Sequence, residues 1–189
     1  MSQQVLCSAL SYIGVPERDW SQATGDCSNS SGSYHLTFNH YRPAHDDIGL
    51  NSHKDDGFLT ILRTRTLGLE IARGDQWEFV PVDPSCFVIN FGLSMEILSA
   101  QSKRPVAAIM HRVARQQRDR CSCGHFSSSG CLPGEDRGVY RYTDEHGLQR
   151  VCGSRELIDE NDYEIYAGTE APTTQPASPP TSRAHEENR

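Results

Sequence analysis

Two histidines and one aspartate are spaced in this sequence as the ligands of a single metal ion would be. His53 and Asp55 flank Lys54, and because alternate residues of an extended chain face the same side, the imidazole and the carboxylate are presented together. A third ligand is available from His111, which follows the apolar run 106–110. Two imidazoles and one carboxylate are typical of a non-haem Fe(II) site with open coordination positions. In a chain with eight histidines, the same pattern also fits unrelated surface residues.

Arg120 and Ser122 add the means to bind an anion close to this metal site. Residues 111 and 120 are symmetric about Arg115 and Gln116, so a two-residue hairpin turn there would place His111 and Arg120 opposite each other on one face. Alternation along the strand adds Ser122 to that face. A guanidinium a few ångströms beyond a metal ligand suits the far carboxylate of a dicarboxylic acid whose other end chelates the metal.

Short apolar segments between turn signals predict many β-strands in the part of the chain that must position these residues. Tyr34, Leu36 and Phe38 alternate with polar residues, and 58–62 is an apolar run. Further strands are predicted over 69–71, 77–80, 86–90, 106–113, 120–126, 139–142 and 148–151, and helices over 4–13 and 92–100, with 154–166 either helical or irregular. Many short strands between turns favour a sandwich or a barrel.

The charge and composition of the chain exclude several classes of function. A formal net charge of -7 provides no basic surface for nucleic acid or an anionic membrane, and no apolar run is long enough to span a bilayer. The first residues do not have the pattern of a signal peptide, and an odd number of cysteines, seven, is typical of reduced thiols. We therefore expect a soluble cytoplasmic protein that binds neither nucleic acid nor membranes, and its oligomeric state stays open.

The segments that carry these residues resemble a known enzyme family. His53-Lys54-Asp55, His111-Arg112-Val113 and Arg120-Cys121-Ser122 are similar to the HxD, HRV and RxS motifs of the isopenicillin N synthase-like Fe(II)/2-oxoglutarate dioxygenases. The segment 39–43, which contains Tyr41, resembles the NxYxP segment of that family, and 88–92 resembles its VNxG strand. The resemblance extends from Ser33 to Phe126 with the motifs in the family's order and spacing.

The resemblance implies a fold, a cofactor and a reaction. The implied fold is mainly β, a double-stranded β-helix (jelly roll) with a few flanking helices. His53, Asp55 and His111 would ligate Fe(II), while Arg120, Ser122 and Tyr41 would hold the cosubstrate 2-oxoglutarate. The implied activity is the oxidation of a small-molecule substrate by dioxygen, in most cases hydroxylation, with release of succinate and carbon dioxide.

The chain ends divide the sequence into three predicted parts. Residues 1–32 are expected to be a helix and loop remnant of an N-terminal region, because members of the family carry a longer segment before this point. Residues 33–167 form the expected jelly-roll domain. Residues 168–189 contain four of the ten prolines and no large apolar residue, which predicts a disordered tail.

Three alternatives stay open at the level of sequence. An oxidase of the isopenicillin N synthase type would use the same iron site without 2-oxoglutarate, with Arg120 and Ser122 holding a substrate carboxylate. A catalytically silent jelly-roll fragment would keep the fold alone. Cys121, Cys123 and His125 suggest a zinc cluster, but their spacing is unusual for zinc, and alternation places them on the face opposite Arg120 and Ser122, where packing is expected.

Overall fold

Two four-stranded antiparallel sheets form the centre of the computed structural model, which describes residues 1–43, 49–132 and 134–166. The eight strands are β1 (Ser33–Tyr41), β2 (Leu50–His53), β3 (Leu59–Thr64), β4 (Leu69–Arg73), β5 (Gln76–Phe79), β6 (Val88–Phe91), β7 (His111–Val113) and β8 (Arg120–Ser128). One sheet has the order β1-β8-β3-β6 and the other the order β2-β7-β4-β5. Because most consecutive strands alternate between the two sheets, the fold is a jelly roll, which confirms the predicted fold class.

A few helices and two small hairpins flank the sheets. These elements are α1 (Ser2–Ile13), a 3-10 turn (Glu17–Asp19), α2 (Trp20–Ala23), α3 (Leu93–Ser99), β9 (Cys131–Leu132), β10 (Glu135–Asp136), β11 (Val139–Thr143), β12 (Gly147–Cys152) and α4 (Ser154–Tyr166). The segment 154–166 is therefore helical, and the predicted hairpin over 139–151 is confirmed as the pair β11 and β12. Among the described residues, no helix is long and apolar enough to cross a membrane.

Helix α1 packs into the same core as the sheets. Its apolar positions Leu6 and Leu10 are fully buried and belong to one cluster with Phe58 and Met95. The helix ends at Gly14, whose φ of 92° lies in the left-handed region that glycine adopts without strain. Residues 1–32 are thus packed against the jelly roll. The predicted tail 168–189, and residue 167 with it, lies outside the described residues.

The predicted strand over 106–113 is wrong in its first half, since β7 contains only His111–Val113. The Met110 carbonyl, directly before β7, still accepts from the N–H of Ala72 in β4 at 2.9 Å, but the N–H groups of Val106 and Ala108 donate to side chains. The Ser99 hydroxyl accepts from the N–H of Val106 at 3.0 Å, and the Glu96 carboxylate accepts from the N–H of Ala108 at 2.7 Å. An apolar run does not reveal such side-chain partners, so its length overestimates the strand.

Candidate metal centre

Two neighbouring strands bring His53 and His111 together. His53 is the last residue of β2, His111 is the first residue of β7, and the two residues are paired in the register of the sheet. Their ring centroids are 4.3 Å apart. Asp55 lies two residues beyond β2, and its Oδ1 atom is 3.8 Å from His53 Nε2 and 3.7 Å from His111 Nε2. The three residues predicted as ligands therefore form one cluster.

Backbone carbonyl groups set the orientation of both imidazoles. The carbonyl oxygen of Asn51 accepts from His53 Nδ1 at 2.8 Å, and that of Ile109 accepts from His111 Nδ1 at 3.1 Å. Because a carbonyl only accepts, Nδ1 carries the proton in each ring and Nε2 has its lone pair free. Metal-binding histidines in proteins are held in the same way.

The Asp55 carboxylate is fixed by two side-chain donors. Its Oδ2 atom accepts from Thr60 Oγ1 at 2.6 Å and from Asn90 Nδ2 at 2.7 Å. Thr60 and Asn90 lie opposite each other in the register of β3 and β6, which is why both reach the same oxygen. The other oxygen, Oδ1, is left to face the two imidazoles.

This cluster fits a divalent transition metal. The candidate ligand atoms of His53, Asp55 and His111 all lie within 4.8 Å of one another. Asp55 and His111 are more than nine-tenths buried, and a buried carboxylate facing two neutral imidazoles without a cation is costly in free energy. Burial and the neighbouring His111 lower the pKa of His53, which favours the neutral imidazole that binds a metal.

Arg120 provides a buried positive charge a short way from this cluster. The residue is 3% exposed, and Nε finds no hydrogen-bond acceptor among the described residues. Its Nη1 atom donates to Ser122 Oγ at 3.4 Å, and the guanidinium carbon lies 5.0 Å from the centre of the Tyr41 ring. Burial lowers the pKa of Arg120, while Tyr41 raises it. A buried guanidinium without a carboxylate partner is suited to an anionic ligand.

The predicted hairpin between His111 and Arg120 is wrong. His111 pairs with His53 and Ile71 in one sheet, whereas Arg120 pairs with Tyr41 in the other. The segment between β7 and β8 crosses from one sheet to the other, because consecutive strands of a jelly roll alternate between sheets. Both side chains nevertheless line the same cavity between the sheets.

One cavity contains all six residues predicted for the site. His53, Asp55 and His111 line it together with Arg120, Ser122 and Tyr41. The remaining wall is mostly apolar and includes Leu50, Leu62, Leu69, Val113 and Phe126. The cavity therefore combines a metal-ligand cluster, a buried cation and an apolar wall, which suits a small anion that also chelates a metal.

Three further residues shape this site and were not identified from the sequence. Thr60 and Asn90 hold Asp55, and Gly68 lies against Arg120. A Cβ atom at Gly68 would be 2.8 Å from both Cδ and Nε of Arg120, so only glycine leaves room for this side chain. Asn90 lies in the VNxG-like segment, which was the one signal available. The contacts of Thr60 and Gly68 depend on the packing of distant strands.

The cysteines of β8 do not join a metal cluster in the described part of the chain. Cys123 and His125 line a cavity together with Met1 and Leu36, whereas Ser122 lines the metal-centre cavity, as alternation along β8 predicted. Among the described residues, the cluster of His53, Asp55 and His111 is the only group of three or more such side chains that could hold an ion. The zinc alternative therefore has no support in the described residues.

The family model of the 2OG-Fe(II) oxygenase superfamily matches residues 33–129 of this chain. Protein DMR6-LIKE OXYGENASE 1 of Arabidopsis thaliana is 30% identical over 133 residues, which cover 66% of this chain and 37% of that protein. 2-oxoglutarate-dependent dioxygenase 21, chloroplastic, of Oryza sativa subsp. japonica is 30% identical over 129 residues, which cover 66% of this chain and 32% of that protein. The chain thus spans about a third of the length of these relatives.

Solved structures show the same fold. The crystal structure of JOX2 in complex with 2OG, Fe and JA superposes with a TM-score of 0.67 at 21% identity, covering 85% of this chain and 48% of JOX2. The structure of dioxygenase for auxin oxidation 1 from Arabidopsis thaliana, a 2-oxoglutarate complex, superposes with a TM-score of 0.54 at 23% identity. The superposition covers 69% of this chain and 48% of that protein. Because the family match covers just over half of the sequence and the fold agrees, the chain belongs to the 2OG-Fe(II) oxygenase superfamily.

Proposed function

We propose that this chain is the catalytic part of an Fe(II)- and 2-oxoglutarate-dependent dioxygenase that oxidises a small-molecule substrate. The observation that carries the proposal is the shared cavity, which is lined both by a two-histidine, one-carboxylate cluster and by a buried arginine that has no carboxylate partner among the described residues. His53 Nε2, Asp55 Oδ1 and His111 Nε2 would hold Fe(II). Three ligands of this kind leave positions open for a chelating cosubstrate and dioxygen.

The residues around the cluster have separate tasks. Arg120 and Ser122 would bind the far carboxylate of 2-oxoglutarate, and Tyr41 packs against the guanidinium that does so. Thr60 and Asn90 keep Asp55 in one orientation, while the apolar wall excludes water from the reacting groups. Iron with 2-oxoglutarate supplies the oxidising chemistry, in which dioxygen is consumed, 2-oxoglutarate becomes succinate and carbon dioxide, and an oxygen atom is available for the substrate.

The finer parts of the proposal rest on the motifs. The order HxD, HRV and RxS supports placement in the isopenicillin N synthase-like group, and hydroxylation is the expected outcome for the substrate. A net charge of -7 and seven cysteines support a cytoplasmic protein that binds neither nucleic acid nor membranes.

The formation of succinate tests the proposal. The chain is incubated aerobically with Fe(II) and 2-oxoglutarate, and succinate is quantified with and without candidate substrates. We expect iron-dependent succinate formation that Asp55→Ala abolishes and Arg120→Met reduces at least about tenfold at low 2-oxoglutarate. Arg118→Met, which removes an exposed arginine from the preceding loop, is the matched control and should leave the rate unchanged. Undiminished turnover by Asp55→Ala with normal iron content would contradict the assignment.

A further inference from the structure

A second cavity lies beside the metal centre, between β4 of one sheet and β6 of the other. Its volume is about 180 Å³, and its walls include Ile71, Val80, Val88 and Ile109. We refer to this space as the side cavity. It does not contain Arg120, Ser122 or Tyr41, so it is separate from the proposed 2-oxoglutarate site.

The side cavity and the metal-centre cavity have a common wall. Leu62, Leu69 and His111 line both spaces. Two leucine side chains and one ligand imidazole therefore separate the side cavity from the cluster of candidate ligands. A molecule that reached the metal centre from this side would pass between the aliphatic side chains of Leu62, which is half-buried, and Leu69, which is buried.

The chemistry of the side cavity selects a small, neutral, apolar molecule. Among the described residues no charged side chain lines it, and those that do are aliphatic apart from His111 and Asn90. The amide nitrogen of Asn90 donates to Asp55 and Nδ1 of His111 donates to Ile109, whereas Asn90 Oδ1 is a single buried acceptor without a hydrogen-bond partner among the described residues. Enclosed cavities with aliphatic linings bind benzene or xenon, and a buried water needs two to four polar partners. The side cavity is partly open to solvent, but its aliphatic walls likewise favour an apolar molecule over an ordered water.

We propose that the side cavity takes up dioxygen and supplies it to the metal centre through the wall formed by Leu62 and Leu69. This inference rests on the proposed function, since only an oxygenase consumes dioxygen at that site. Dioxygen would collect beside His111 without competing with 2-oxoglutarate, which is held on the Arg120 side of the cluster.

Xenon binding to the metal-free chain tests the side cavity independently of activity. Methyl NMR spectra are recorded under increasing xenon pressure, with xenon as an apolar gas that does not react. We expect the largest shifts at Ile71, Val88 and Ile109, and their loss in Val88→Phe, whose ring fills the cavity from β6. Val151→Phe makes the same change on β12, where the side chain is 43% exposed, and should retain the shifts. Wild-type spectra without xenon shifts at these methyl groups would overturn the proposal.

The dioxygen dependence of turnover tests the supply route. In Val88→Phe we expect the dioxygen concentration for half-maximal 2-oxoglutarate consumption to rise about threefold or more, with an unchanged half-saturating concentration of 2-oxoglutarate. Val80→Phe fills the cavity from the opposite wall and should act in the same direction if Val88→Phe does not fold. An unchanged dioxygen dependence in a folded variant that has lost xenon binding would overturn the proposal. Absence of iron-dependent succinate formation in the wild type would instead contradict the proposed function, while the xenon measurement still decides whether the cavity binds an apolar gas.

Discussion

At the scale of single residues, Asp55 shows how far a local pattern predicts a site. The HxD spacing placed its carboxylate beside His53, and the structure has these groups 3.8 Å apart. The donors that orient Asp55 were not predictable in the same way. Asn90 is 35 residues away, and its contact exists only because β3 and β6 pair with Thr60 opposite Asn90.

Removal of one of these donors should weaken metal binding without loss of the fold. Thr60→Val keeps the shape of the side chain but removes the hydroxyl that donates to Asp55 Oδ2. Loss of such an outer partner typically lowers metal affinity by about 10- to 100-fold. We expect this decrease in an Fe(II) titration against a competing chelator. Thr66→Val, on the exposed turn before β4, should bind iron as the wild type does, and equal affinities of all three proteins would contradict this role of Thr60.

The burial of Cys27 predicts that the free energy of unfolding decreases at alkaline pH. It is fully buried, and burial raises its pKa from 9.0 to about 12. Between these values the unfolded chain releases the thiol proton while the folded chain keeps it, so the stability contribution present below pH 9 is lost as the pH rises towards 12. The expected decrease is about 1.4 kcal/mol of unfolding free energy per pH unit.

Urea unfolding at pH 8 to 10.5 measures this dependence. Cys27→Ala should show a shallower decrease of unfolding free energy with pH than the wild type, although its stability at pH 8 is lower. Cys86→Ala changes an exposed cysteine and should follow the wild-type slope. The same slope in Cys27→Ala and wild type would show that the thiol does not stay protonated in the fold.

At the scale of elements, the sequence predicted strands better than their partners. The alternation of Tyr34, Leu36 and Phe38 and the apolar run 58–62 correspond to β1 and β3. The proposed hairpin of His111 with Arg120 failed because neighbouring segments of a jelly roll join opposite sheets, and local symmetry about Arg115 and Gln116 contains no information on that crossing. Long-range pairing, as between Tyr41 and Arg120, depends on the whole fold.

Glu96 of α3 joins the two segments that carry the candidate ligands. Its carboxylate accepts from Lys54 Nζ at 3.0 and 3.2 Å, and Lys54 lies between His53 and Asp55. The same carboxylate accepts from the N–H of Ala108, on the segment that leads to His111, at 2.7 Å. Through Glu96, helix α3 therefore binds both the segment that carries His53 and Asp55 and the segment that leads to His111.

Substitution of Glu96 should lower the affinity for Fe(II), more strongly by alanine than by glutamine. Glu96→Ala removes both contacts, and we expect about tenfold weaker Fe(II) binding in the chelator competition assay. Glu96→Gln keeps an acceptor for Ala108 and should recover part of the affinity. Asp144→Asn disrupts the exposed ion pair with Lys103 and serves as the control. Wild-type iron affinity in Glu96→Ala at an unchanged melting temperature would show that the link has no effect on the site.

At the scale of the whole molecule, the first 32 residues and the jelly roll share a core. Leu10 of α1 is fully buried in the cluster that contains Phe58 and Met95. Helix α1 was predicted from its apolar spacing, but the other members of its core cluster, such as Ile61 of β3 and Met95 of α3, could not be inferred from the helix alone. The interpretation of residues 1–32 as the remnant of an N-terminal region remains a prediction.

This shared core predicts a single unfolding transition. Leu10→Ala should lower the unfolding free energy by about 2 to 5 kcal/mol, because it leaves a cavity in the core. The fluorescence of Trp20, recorded in a Trp77→Phe background because the chain has two tryptophans, and the far-ultraviolet circular dichroism should follow the same urea curve with and without Leu10→Ala. Ser11→Ala, at the exposed neighbouring position of α1, should change stability little. Separate transitions for the two signals would show that residues 1–32 fold apart from the sheets.

The most direct test of the whole account is the anaerobic binding of 2-oxoglutarate to the iron-loaded chain. Fe(II) is added first, then 2-oxoglutarate, and the weak visible metal-to-ligand charge-transfer band is recorded. The account predicts a band in the wild type, none in Asp55→Ala, and a shift to at least about tenfold higher 2-oxoglutarate concentrations in Arg120→Met. Iron binding without a band would indicate the oxidase alternative, and a chain that binds no iron would contradict the account as a whole.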